Sequence, residues 1–98
     1  MIDLDKLNAR ASRVMDGIMA AQAEAGLGEY DRFLKQQRIG FGFAWSAAVD
    51  NPPQNETAQE WKARILGVIE AEMQTVPKED LPGWRSGVQS FEKILNRL

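Results

Sequence analysis

The residues of this chain that could do chemistry are few, and the most unusual lie together. Residues 38–45 read Arg38-Ile39-Gly40-Phe41-Gly42-Phe43-Ala44-Trp45. Three aromatic residues and two of the eight glycines fall in this stretch. Gly40-Phe41-Gly42 lacks the later glycine and the strand-then-helix setting that a dinucleotide-binding loop requires. Upstream, Arg32, Lys35 and Arg38 recur every three residues, and Arg10 and Arg13 share that spacing. Cations in a row beside aromatics can hold phosphates and stack bases. Against nucleic acid stand Asp16, Glu29, Asp31 and the group Glu56, Glu60, Glu70 and Glu72, which outnumbers Lys62 and Arg64. The net charge of −2 gives no field that draws in a polyanion.

Catalysis is poorly served. The chain contains neither histidine nor cysteine, which removes the imidazole base, the thiolate nucleophile and the disulfide. Zinc would have only carboxylates to bind, a ligand set it seldom uses alone. Glu70 and Glu72 are two apart and diverge on a helix. Glu56 and Glu60 share a face, but Glu60 is better used in a helix cap, so no glycosidase-like acid pair stands out. Ser12, Ser46, Ser86 and Ser90 have no base. No catalytic, cofactor-binding or metal-binding residue is therefore expected, and the protein is read as not an enzyme.

The elements that must position these residues follow from periodicity. With 98 residues, 44% apolar and 27% charged, the chain suits one globular domain spanning 1–98. Breaks at Gly26-Leu27-Gly28, Asn51-Pro52-Pro53 and Val76-Pro77 divide it into four helices, at about 3–25, 29–50, 57–75 and 80–97.

In the first, Leu4, Leu7, Ala11, Val14, Ile18, Ala21 and Ala25 alternate steps of three and four, with Met15 and Met19 widening the stripe and Asp3 or Asp5 capping the start. The third opens on Thr57-Ala58-Gln59-Glu60, a capping box, followed by Trp61, Ile65, Val68, Ile69, Met73 and Val76. Asn55-Glu56-Thr57 also matches a glycosylation acceptor, but the cap explains Thr57 better. The fourth carries Leu81, Trp84, Val88, Phe91, Leu95 and Leu98, with Asp80 as N-cap, Pro82 in the first turn and Lys93 and Arg97 in the last turns.

The second helix contains the unusual stretch. Ile39, Phe41, Phe43 and Trp45 alternate as a strand would, but the intervening residues are small and not polar. Helical register runs unbroken from Tyr30 through Phe33, Leu34, Gln37, Phe41 and Trp45 to Ala48, and it places Gly40, Ala44 and Ala48 in a row that lets another helix approach. Two glycines in a helix cost about 2 kcal/mol, which packing can offset, and a kink is expected near Gly40–Gly42. Ile39 and Phe43 point off the main face, so this helix is apolar nearly all round. Such a helix is normally enclosed by its neighbours, or else lends one flank to another chain.

An all-α, compact four-helix domain is thus expected. Aromatic residues and arginine dominate protein contact surfaces, so Arg38, Ile39, Phe43 and Trp45, with Arg32 and Lys35, are the candidate partner-binding residues. The expected function is a non-catalytic interaction module: an adaptor, inhibitor or regulatory subunit of the bacterial or phage accessory type, binding another protein. The alternatives are a nucleic-acid-associated regulator using a basic helix stripe and a structural homodimer. Residues Met1–Lys6 lack the basic start and apolar run of a secretory signal, and no stretch is apolar enough to span a membrane, so a cytoplasmic setting is expected.

Overall fold

The computed structural model describes residues 2–25 and 29–98, and the side chains of Glu29 and Tyr30 are also outside the description. The break at Gly26-Leu27-Gly28 and the place of Tyr30 in the helical register therefore lie outside the described residues. Four helices follow in order: α1 (Leu4–Ala25), α2 (Glu29–Asp50), α3 (Ala58–Met73) and α4 (Leu81–Asn96), with a 3-10 turn at Lys78–Asp80 leading into the last. There is no strand among the described residues. The all-α, four-helix domain read from periodicity is the fold.

Local chemistry accounts for the helix starts. Asp3 accepts the Lys6 amide at 3.1 Å, so it and not Asp5 caps α1. Thr57 Oγ1 accepts from the Glu60 amide at 3.1 Å while Glu60 Oε1 accepts from the Thr57 amide at 2.9 Å, which completes the capping box of α3. Asp80 departs from expectation. It sits at the N-cap of α4 but makes no capping hydrogen bond, because its carboxylate instead accepts from Arg32 Nε at 2.9 Å. The 3-10 turn supplies the helix entry, with the Leu81 amide donating to Lys78 O.

α2 packs against each of the other three helices, whereas the backbones of α1 and α3 do not approach one another closely. The core is built from Leu7, Ala11 and Ile18 of α1, Phe41, Ala44 and Ala48 of α2, Trp61, Ile65 and Ile69 of α3, and Trp84, Val88, Phe91 and Leu95 of α4, all buried. The Phe41 ring stands edge-on to Phe91, 5.7 Å between centroids. The α-helix runs through Gly40 and Gly42 without interruption. The result is an elongated slab, 46 × 27 × 18 Å.

Two apolar stripes reach further in sequence than in the fold. Ala21 and Ala25 are exposed and Met19 is 50% exposed. Val68, assigned to the apolar face of α3, is also exposed. α3 meets only α2 and α4, and its buried residues Trp61, Ile65 and Ile69 form a stripe too narrow to include it.

Candidate interaction surface

The stretch 38–45 sits where α2 and α4 cross in backbone contact. A Cβ on Gly40 would stand 2.6 Å from Trp84 O, and one on Gly83 would stand 2.7 Å from Phe33 O. One on Gly87 would collide with Gln37 O and stand 2.6 Å from Phe41 N. No side chain larger than hydrogen fits at these three positions. Gln37 Nε2 spans the seam to Ser86 Oγ at 3.0 Å. At Gly40 the small-residue row on α2 thus admits another helix, and that helix is α4, which brings glycines of its own to the seam. The signal for this half of the seam is Gly83-Trp84-Arg85-Ser86-Gly87, two glycines four apart on one helical face. The apolar periodicity of α4 draws attention away from it.

Gly42 has a different environment. A Cβ there would meet only Met15 Cε, at an ordinary 3.6 Å. It marks the side of α2 that faces α1. Trp45 lies on that flank too: its indole Nε1 donates to Asn8 Oδ1 of α1 at 2.8 Å, and its ring stands edge-on to Phe41 at 6.3 Å. Arg38, one turn before Gly42, is half-buried, and its Nε is buried with no acceptor among the described residues. A buried donor left unpaired costs about 1–3 kcal/mol.

The remaining candidates fall on the opposite flank. Lys35, Ile39 and Phe43 are successive at four-residue steps and share one face. Lys35 is exposed, Ile39 is 38% exposed, and Phe43 is half-buried with its ring 5.6 Å from that of Trp84. Arg32 is on this side, but its charge is engaged within the chain, by Asp80 at 2.9 Å and Glu79 at 3.7 Å. The six residues therefore do not form one site. Arg38 and Trp45 belong to the α1 side, Arg32 ties α2 to the entry of α4, and Lys35, Ile39 and Phe43 remain as an outward patch.

Among the described residues no group of acidic side chains is arranged to hold a metal ion. The strongest charge pair joins Arg64 to Glu56, with Nη2 to Oε1 at 2.6 Å and Nε to Oε2 at 3.3 Å. That hydrogen-bonded guanidinium holds the Glu56 carboxyl below the usual carboxylate range, and the bond in turn raises the Arg64 pKa. The same guanidinium donates to Pro52 O at 3.1 Å, and Trp61 Nε1 donates to Asn51 O at 2.7 Å. These bonds clamp the α2–α3 connection, where Asn55 takes the left-handed φ of 41° that asparagine tolerates. The cluster is structural, and Thr57 within it is occupied by its cap.

The chain matches no protein-family model, no curated protein and no solved structure.

Proposed function

We propose that this protein is a non-catalytic interaction module, an adaptor, inhibitor or regulatory subunit, that docks another protein on the outward face of α2. The observation that carries the reading is Ile39. It is 38% exposed in the middle of a helix that packs against three others, it adjoins the half-buried Phe43 on Trp84, and Lys35 rims it. An apolar anchor with a charged rim is the usual anatomy of a contact surface.

The alternative of nucleic-acid binding through the α2 stripe has less support, since Arg32 is neutralised by Asp80 and Glu79 and Arg38 is half-buried. A cytoplasmic setting for this activity fits the absence of cysteine, because small secreted domains commonly rely on disulfides.

The test compares wild type with Ile39→Asp. Cross-linking capture from the native host, quantified by mass spectrometry, should recover a partner with wild type and lose it with the variant at an unchanged melting temperature. A captured partner that survives Ile39→Asp refutes the α2 face as the docking site. Light scattering across concentrations separates a foreign partner from a second copy: a wild-type dimer that Ile39→Asp dissolves makes the protein a homodimer.

A further inference from the structure

A second surface, independent of the α2 face, lies between α1 and α4. A groove of about 510 Å³ is walled by Arg10 and Arg13 on α1 and by Lys93 and Arg97 on α4, over an apolar floor of Val14 and Ile94. No acidic residue lines it. A third of the twelve cations of a net-negative chain are gathered there. None of the four forms an ion pair among the described residues. Arg10 Nη1 is held by the Arg97 carbonyl at 3.1 Å, which ties the two walls together. Ser90 also lines the groove, with its hydroxyl donating to Ser86 O at 3.1 Å.

The helix dipole accounts for only half of this arrangement. Lys93 and Arg97 sit at the end of α4, where cations are favoured. Arg10 and Arg13 sit in the first half of α1, remote from its C-terminus, and gain nothing from its dipole. Their spacing of three residues, and that of Lys93 and Arg97 of four, correspond to about 4.5 and 6 Å along a helix. The four charges are therefore a short double row, about one turn long.

We propose that this groove binds a compact multi-phosphate anion, the diphosphate or triphosphate moiety of a nucleotide or a free inorganic oligophosphate. A terminal phosphoryl group carries about −1.5 to −2 charges and three acceptor oxygens, and each internal phosphate adds about one more, so a short phosphate chain sets against the four cations a charge that would take three or four separate carboxylates. Three of the four cations are arginines, whose planar fork matches phosphate oxygens two at a time. The groove volume is in the range of small-molecule sites, about 300–1,000 Å³. A nucleic-acid backbone fits less well. The double row stops after one turn, Asp16 follows Arg13 along α1, and no aromatic side chain lines the groove to stack a base.

The test is an amide NMR titration of the whole chain at low salt in metal-free buffer, with inorganic tripolyphosphate, ATP and a 20-nucleotide poly(dT) as separate probes. Saturable shifts at residues 10–14 and 90–97 are expected with tripolyphosphate, and the exposed pair Arg13→Gln/Lys93→Gln should weaken binding roughly tenfold with an unchanged melt. If that pair lowers the melt, Arg13→Gln alone is used. ATP binding tighter than tripolyphosphate identifies a nucleotide as the source, with the Val14–Ile94 floor taking the nucleoside. Equal binding identifies the free oligophosphate. Shifts that never saturate, or that the variant leaves unchanged, reduce the four residues to solvated surface cations and overturn the proposal. Saturation by poly(dT) at concentrations where tripolyphosphate has no effect also overturns it, in favour of a nucleic-acid backbone.

Discussion

At the residue scale, glycines in this chain do opposite things according to what a methyl group would meet. Gly87 lies against the backbone of α2 at Gln37 and Phe41, so a methyl there can only be accommodated if the helices move apart. Gly87→Ala should cost about 2–4 kcal/mol, read as a lower urea midpoint. Gly17 is also inside a helix, but nothing stands within 4 Å of its missing Cβ. There the substitution only removes chain entropy from the unfolded state, and Gly17→Ala should stabilise by about 0.5–1 kcal/mol in the same assay. Phe43 and Ile39 divide in a similar way. Phe43 packs on Trp84, so Phe43→Ser should lower stability by about 1–2 kcal/mol and confound any binding measurement. Ile39 is more exposed, which makes it the cleaner probe of the surface.

At the element scale, α3 is held by its start and by the connection that precedes it. Thr57→Ala removes the side-chain half of the capping box and should cost about 1 kcal/mol by denaturant unfolding. The Glu56–Arg64 bond gives the same region a pH dependence. Its hydrogen bonds hold the Glu56 pKa in the folded state below the unfolded value of about 4.3. The stabilisation is therefore present above the unfolded value and is lost as pH falls through the folded one. Thermal melts of wild type and Glu56→Gln should differ at pH 7 and converge as pH falls through the lowered Glu56 pKa. A gap that stays constant down to pH 3 would show that Glu56 acts without its charge.

On the scale of the whole molecule, the close seam between α2 and α4 governs the layout. α1 and α3 each pack on that pair without close backbone approach to one another, and the least dimension of the slab is 18 Å. A slab encloses its central helix less completely than a bundle with a filled centre. That is why α2, apolar nearly all round, leaves Ile39 and Val49 exposed while burying Phe41, Ala44 and Ala48. The same geometry opens the α1/α4 groove, in which cations from distant parts of the chain meet. Loosening the seam by Gly87→Ala should lower the melting temperature and also disturb the Ile39–Phe43 patch, since Trp84 supports Phe43 and contributes backbone to the seam.

The sequence by itself determined the helices, their approximate ends, the capping box at Thr57 and the choice of Asp3 or Asp5 as the cap of α1. These properties depend on spacing within one segment, and a helix of 3.6 residues per turn makes such spacing legible. It also determined that Gly40, Ala44 and Ala48 would admit a neighbour. Only the tertiary structure decided which neighbour that is. It set Gly40 against Trp84 and Gly87 against Gln37 and Phe41, took Asp80 from its cap to Arg32, turned Trp45 toward Asn8, and brought Arg10 and Arg13 beside Lys93 and Arg97. Each of these contacts joins residues more than thirty positions apart. A helical pattern specifies which face is apolar or charged but carries no information about what that face will meet.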